Sequence, residues 1–205
     1  MAIGDAYATA ALYRAETGAS GAGSDTAILR DLTAVSRFLD RACDRPAGFN
    51  KDASAVERLF IPRRTTRSLL VNDLVSVSAI TIDEGMDNAY SRTLASTDYE
   101  LRPLNAADGP QANPYTEVYA TEWGVLAAWS GGVRVKISAV WGWPAVPEAI
   151  QAACIHLTAV LRLESPRATS SMNEMQQVVS TSRAAQNILG EIVHVYGKTG
   201  GAVAW

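Results

Sequence analysis

The sequence predicts a mixed α+β fold, in which a small α-helical bundle carries an inserted antiparallel β block. Apolar residues recur at helical spacing in the first 50 residues and again after residue 145. Between these regions, short runs rich in β-branched residues alternate with turn-forming residues, as in an antiparallel sheet. We therefore expect residues 1–50 and 145–192 to form a helical core, residues 57–141 an inserted β domain, and residues 193–205 a C-terminal arm.

Four helices are expected, in chain order. The first is short, from Ala6 to Ala15, before the small-residue run Gly18–Gly23. The second runs from Asp25 to Cys43, because its apolar residues draw one broad stripe that stops before a proline and a glycine. The third extends from Pro147 to Glu164, with proline at its first position and a glutamate in its first turn. A less regular stretch from Gln176 to Ile192 is the fourth.

The β block is indicated by short apolar runs bounded by glycine, proline, aspartate and asparagine. One run alternates apolar residues with serine and threonine, which is the period of a half-buried strand. Several strands at this spacing predict a meander or a small sandwich. The expected strands are Arg58–Ile61, Ser68–Val71, Leu74–Ile82, Tyr99–Arg102, Thr116–Ala120 and Val133–Val140.

Composition excludes several classes of protein. The formal net charge is -3, far from the basic excess of a dedicated DNA-binding protein. Hydrophobic residues make up 48% of the chain and charged residues 19%, a balance typical of a folded globular protein. The apolar runs are too short to span a bilayer, and the N-terminal residues lack the pattern of a signal peptide. We expect synthesis in a cytoplasm and two buried free thiols, Cys43 and Cys154.

Catalytic and metal-binding patterns are missing from the sequence. The two histidines, His156 and His194, are far apart, and no Gly-x-Ser-x-Gly, His-x-x-x-His or Cys-x-x-Cys spacing occurs. The glycine-rich run Gly18–Gly23 has no preceding strand and no Gly-Lys-Ser ending, so it does not match a phosphate loop. The sequence predicts no catalytic residue, no metal and no cofactor, and hence no enzyme.

Two groups of residues are candidate interfaces. Four arginines, Arg58, Arg63, Arg64 and Arg67, form the main basic concentration; they fit either a solvated strand edge or loop, or a contact with an acidic partner or the DNA backbone. Trp123 and Trp129 fit either the core or an interface, where large rigid aromatic rings lose little entropy on docking.

The chain resembles the head-tail connector proteins of long-tailed bacteriophages, also called adaptor or head-completion proteins. The resemblance extends from about residue 5 to residue 190, and its most specific part is a valine-rich strand followed by Gly-Trp-Pro, then Val-Pro-Glu-Ala-Ile and an amphipathic helix. The matching segments are the first helix ending near Thr17-Gly18, the second helix from Asp25 to Arg45, Asp98–Asn105, Val133–Val135 and Trp141–Ile150.

This resemblance implies a structural protein of the virion, made in the host cytoplasm and placed at the capsid vertex. Members of the family are helical bundles that form a twelvefold ring beneath the portal protein, extend the channel for double-stranded DNA, and dock a stopper or tail-completion protein. It also implies that the C-terminal segment reaches the portal, which would make Gly197, Lys198, Val203 and Trp205 docking residues. The large block from Leu59 to Val140 distinguishes this chain from the smallest members.

A different class of function is a β-sandwich module that binds a glycan or a peptide through Trp123 and Trp129. A tryptophan fluorescence titration with glycans separates the two hypotheses, because the connector hypothesis predicts no response.

Overall fold

A computed structural model describes residues 5–19, 24–45, 47–62, 67–108, 112–121, 133–164, 176–177, 179–180 and 182–197. The mixed α+β class is confirmed: this part of the chain contains four helices and a six-stranded antiparallel sheet. By their contacts the residues divide into two compact units. The helical unit comprises residues 3–50 and 146–205, and the β unit comprises residues 51–145.

The helical unit contains helices α1 to α4, which span Ala10–Thr17, Asp25–Ala42, Glu148–Glu164 and Arg183–Tyr196. Hydroxyl side chains cap three of them: Thr9, Ser24 and Ser182 each accept a hydrogen bond from a backbone N–H in the first turn. Helix α3 contacts α1, α2 and α4. This central position explains why α3 carries no charged residue between Ala149 and Leu161.

The first helix begins later than the sequence predicted. Residues 6–9 are not helical, and Tyr7 is fully buried in the helical unit. The Tyr7 N–H donates to the Ser36 hydroxyl of α2 at 3.0 Å, and the Tyr7 hydroxyl donates to the Asp40 carboxylate, so α2 holds this segment in its non-helical conformation. Tertiary contacts therefore outweigh the local helical pattern here.

The fourth helix also differs from expectation, because α4 ends at Tyr196 rather than at residue 192. Its apolar residues Ile192 and Val193 continue the stripe that begins at Ala185, and the helix stops at Gly197. Residues 193–196, assigned to the arm from the sequence, therefore belong to a helix. Beyond Gly197 the arm lies outside the described residues.

The β unit contains strands β1 to β6, in the order β1-β6-β2-β5-β4, with β3 paired to β2. The long strand β2 pairs with β5 over its first half and with β6 over its second half. Register shifts near Leu74 mark where it changes partner. The strands span Val56–Phe60, Ser68–Asp83, Arg92–Thr93, Tyr99–Arg102, Tyr115–Ala120 and Arg134–Trp141.

Both halves of the sheet contribute to one core. Leu69 and Val118 come from the β2–β5 half, whereas Ile80 and Ile137 come from the β2–β6 half, and all four belong to the same buried cluster. Burial alternates along β6, which places Val135, Ile137, Ala139 and Trp141 on the core face and leaves the intervening residues on the outer face.

Candidate functional site

Arg58, the first of the clustered arginines, is held inside the β unit. It lies on β1, with its guanidinium carbon 4.6 Å from the centre of the Trp141 ring and one of its nitrogens 3.7 Å from the Asp52 carboxylate. Burial lowers the pKa of Arg58, and Asp52 opposes this effect. Its charge is therefore matched within the β unit, which makes Arg58 a packing residue rather than a free contact for phosphate.

Arg67 lies in different surroundings, at the start of β2 on the outer face of the β2–β5–β4 half. It donates a 3.4 Å hydrogen bond to the Tyr119 hydroxyl, while the Arg102 guanidinium carbon is 3.5 Å from the centre of the same ring. Glu100 lies 3.4 Å from Arg102. Tyr119 is therefore contacted by both Arg67 and Arg102, and Glu100 is an acidic neighbour of Arg102. These contacts hold the side chains in place on the outer face of the sheet.

Arg102 did not stand out in the sequence, because no other arginine is near it in the chain. The signal that could have found it is strand alternation. In the observed register Arg102 lies opposite Glu117 and Glu100 lies opposite Tyr119, so their side chains share the outer face.

The other candidate interface residues fall largely outside the described part of the chain. This applies to Arg63 and Arg64, to Trp123 and Trp129, and to Lys198, Val203 and Trp205. Gly197 is described: its N–H donates to the Val193 carbonyl at 2.9 Å and ends α4. The described members of the arginine cluster, Arg58 and Arg67, are not brought into one site.

A buried polar cluster, formed by Tyr7, Ser36, Arg37 and Asp40, was missed from the sequence. The Tyr7 hydroxyl donates to the Asp40 carboxylate and accepts a 2.8 Å hydrogen bond from the Phe49 N–H. Arg37 Nε lies 3.1 Å from the same carboxylate. No local pattern signals this contact, because Tyr7 and Asp40 are 33 positions apart in the chain.

The electrostatics of this cluster follow from its burial. Desolvation raises the pKa of Asp40 to about 6, against the opposing effects of the Tyr7 hydrogen bond and of Arg37. Desolvation also raises the pKa of Tyr7, and the Asp40 charge adds to this. Two side chains outside the cluster also hold the N-terminal segment that carries Tyr7. Gln151 of α3 donates to the Tyr7 carbonyl at 3.0 Å, and Asn50 donates to the Asp5 carbonyl at 3.1 Å.

A cavity of about 550 Å³ lies in the helical unit between α2 and α4. Phe38 and Ala42 of α2 and Leu189 of α4 form its apolar wall, and Arg41 is the charged side chain among its described lining residues. The polar side chains of Gln176, Ser180 and Gln186 also line it, and no carboxylate, imidazole or thiol that could act as an acid, a base or a strong nucleophile is among its described lining residues.

Other potentially reactive groups are dispersed. His156 on α3 and His194 on α4 are both exposed. Among the described residues, no group of three or more histidine, cysteine, aspartate or glutamate side chains is placed to hold a metal ion. No helix in that part of the chain is long and apolar enough to cross a membrane.

Both cysteines are buried free thiols, as predicted, and this gives a simple test of the helical unit. Burial raises the pKa of Cys43 and of Cys154 to about 11 in each case. At pH 8 the thiolate fraction is then about a thousandth, and access is blocked as well. We expect no reaction with a chromogenic disulfide reagent in the native protein and two thiols per chain in guanidinium. Rapid reaction of either thiol in the native protein would contradict the packing of α2 and α3.

Comparison with known proteins gives no functional assignment, because neither a protein-family model nor a curated protein matches this chain.

Proposed function

We propose that this protein is a head-tail connector of a long-tailed bacteriophage: a structural subunit that forms a ring beneath the portal protein. In this proposal the helical unit is the connector body and the β unit is an insertion in it. The ring has twelve subunits, extends the channel for double-stranded DNA, and docks a stopper or tail-completion protein. The residues from Gly197 to Trp205 form the arm that reaches the portal.

The observation that carries the proposal is the position of exposed apolar side chains at both ends of the helical unit. Helices α2 and α3 run antiparallel, since Arg162 lies 2.7 Å from Asp31 while Cys154 lies 3.4 Å from Ser36. Leu29 and Leu163, both exposed, are neighbours in sequence of Asp31 and Arg162 and therefore lie at the same end.

Val195 provides the apolar surface at the opposite end. It is exposed near the C-terminus of α4, where the Tyr196 carbonyl accepts a 2.7 Å hydrogen bond from Arg45, just beyond α2. A subunit of a closed ring needs two different surfaces, one for each neighbour, because its contacts run head to tail. The proposal assigns Leu29 and Leu163 to the contact with one neighbour and Val195 to the contact with the other.

The charge distribution supports the same proposal. DNA must pass through a connector channel, and strong phosphate contacts would hinder this movement. The chain has a formal net charge of -3, and the Arg58 charge lies beside the Asp52 carboxylate. A subunit of this kind encloses DNA without a strong grip on it.

The experiment is to observe the assembly of the purified chain by negative-stain electron microscopy and native mass spectrometry over a range of concentrations. We expect closed rings of about twelve subunits, consistent with cyclic head-to-tail contacts. Leu163→Asp should reduce the ring fraction several-fold, because it places a charge in the proposed contact, and it should leave the fold intact because Leu163 is 81% exposed.

The matched control is Leu70→Asp, since Leu70 is 72% exposed but lies in the β unit. This variant should form rings like the original protein. Monomers and dimers alone at every concentration, or equal ring fractions in the two variants, would count against the connector proposal.

A further inference from the structure

The cavity between α2 and α4 has an apolar floor and a polar rim. Its described apolar lining residues are buried or half-buried; they are Phe38, Ala42, Val179 and Leu189. Its described polar lining residues are exposed; they are Arg41, Gln176, Ser180 and Gln186. At about 550 Å³ the cavity has the size of a ligand-binding site, and its floor offers apolar surface that another apolar group can cover.

The C-terminal arm begins close to this cavity. The Tyr196 carbonyl at the end of α4 accepts a 2.7 Å hydrogen bond from Arg45, just beyond α2. Arg41, four positions before Arg45, lines the cavity, and so does Leu189, two helical turns before Tyr196. The contact between α2 and α4 therefore leads from the cavity to Gly197, where the arm starts.

The composition of the arm suits the cavity. Lys198 is its one charged residue, and Val203 and Trp205 are its large apolar residues. Burying an aromatic side chain removes roughly 150–250 Å² of surface from water, so a tryptophan gains much from an apolar floor. Arg41 on the rim complements it, because a guanidinium group is attracted to the face of an indole ring.

We propose that residues 198–205 fold back along α4 in the isolated chain and place the Trp205 side chain in this cavity, with its ring against Arg41. The occupant is the arm of the same chain rather than that of another copy. A segment tethered this close has an effective concentration of about 1 mM, which exceeds that of other copies at micromolar protein.

The length of the arm matches this path. Eight positions of helix separate Leu189 from Gly197, a distance of about 12 Å. A β-turn over residues 198–201 has Gly200 and Gly201 at its third and fourth positions, where glycine is favoured. The four residues after the turn span about 13 Å when extended, so Trp205 returns to the level of Leu189.

This inference does not rest on the connector proposal, because its residues belong to one unit of one chain. If the chain is a connector, the arm must leave the cavity before it reaches the portal, and docking keeps Trp205 covered until then. Ring formation tests the connector proposal, whereas the state of the cavity in the isolated chain tests this one. The two can therefore fail separately.

The first experiment measures how well the arm protects the cavity, with Ala42→Cys in the full-length protein and a maleimide as reagent. Cys43 and Cys154 are buried and give a silent background. We expect Ala42→Cys to react at least fivefold faster when Trp205→Ala is added, because the side chain that covers it is gone.

The matched control is Glu191→Cys. Glu191 is exposed on α4 and lies two positions after Leu189, about 200° around the helix and so on the side away from the cavity. Its cysteine should react equally fast with and without Trp205→Ala. Equal rates for Ala42→Cys in the two backgrounds, whether both fast or both slow, would overturn the proposal.

The second experiment identifies which chain supplies the arm, by disulfide formation between Ala42→Cys and Val203→Cys in one full-length chain. Val203 lies on the same side of an extended segment as Trp205, so it faces the groove between α2 and α4. On mild oxidation we expect cross-linked monomers, in a yield that does not change with protein concentration.

The pair Glu191→Cys and Val203→Cys is the control, since Glu191 is nearer to the start of the arm but faces away from the cavity. It should cross-link several-fold less. Equal yields from the two pairs would show that the arm has no preferred site and would refute the docking. Covalent dimers that increase with concentration would assign the cavity to the arm of another copy, which also contradicts the proposal.

Discussion

Replacing Gly48 with alanine should lower the free energy of unfolding by about 3 kcal/mol, because the added methyl group meets both backbone strain and a close contact. Gly48 has a φ of 72°, where side chains other than that of glycine are strained. A Cβ atom there would lie 2.5 Å from the Tyr7 hydroxyl oxygen and 3.0 Å from the nearer Asp40 carboxylate oxygen. Urea denaturation followed by circular dichroism measures the loss.

Gly18→Ala is the matched control. Gly18 has a similar φ of 66°, but a Cβ atom there would meet nothing within 4 Å. This variant should lose only about 1 kcal/mol, which is the conformational cost alone. Gly48→Ala in a Tyr7→Phe background should lose less than in the original protein, because the nearest clashing atom is gone. Equal losses for Gly48→Ala and Gly18→Ala would contradict the close approach of Gly48 to Tyr7.

Asp40→Asn should remove a pH dependence of stability that the original protein shows between about pH 4 and pH 6. The folded protein has an Asp40 pKa of about 6, against an ordinary value of 3.8, because the carboxylate is buried. In this window the folded state holds a proton that the unfolded state has released. The Asp40 contribution therefore falls as pH rises from 4 to 6 and is constant above it, a total of about 3 kcal/mol.

The measurement is the free energy of unfolding of both proteins across this range. Asparagine keeps a carbonyl oxygen that can accept the Tyr7 hydrogen bond, and it has no charge to desolvate, so its curve should lack the Asp40 component. The difference between the curves isolates this component, since the other carboxylates are common to both proteins. Parallel curves would show that Asp40 titrates at its ordinary pKa.

Elements set by local patterns were predictable from the sequence. Helix α2 begins at the predicted Asp25, because its apolar stripe and the serine cap are both local signals. Strand β4 has the predicted bounds, Tyr99–Arg102, because turn-forming residues bound it closely.

Strand β2 shows why some boundaries were not predictable. Two separate strands were expected, because Asn72 and Asp73 interrupt the apolar pattern, yet one strand runs from Ser68 to Asp83. Asp73 is buried there: its carbonyl accepts from the Gly142 N–H at 2.7 Å, and its carboxylate accepts from Trp143 Nε1 at 3.3 Å. These partners are about 70 positions away in the chain, and register shifts accommodate the polar residues.

The candidate surfaces were less predictable than the fold. The arginine cluster predicted for Arg58 either a solvated strand edge or loop, or a contact with a partner, whereas the structure places it beside Asp52 and Trp141 inside the β unit. The sequence alone does not show whether the fold brings a carboxylate or an aromatic ring into contact with a basic side chain. Nor does it show that a cavity lies between α2 and α4, which could be recognised only from the packing of the helices.

The division of the chain also sets an order for folding during synthesis. All the residues of the β unit leave the ribosome before α3 and α4, which complete the helical unit. Tyr7 emerges early, but Gln151, which holds its carbonyl, follows 144 residues later. At ordinary elongation rates this delay is about 7 to 30 s. The nascent chain should therefore fold its β unit first, before α3 and α4 have been synthesised and can bind the N-terminal segment.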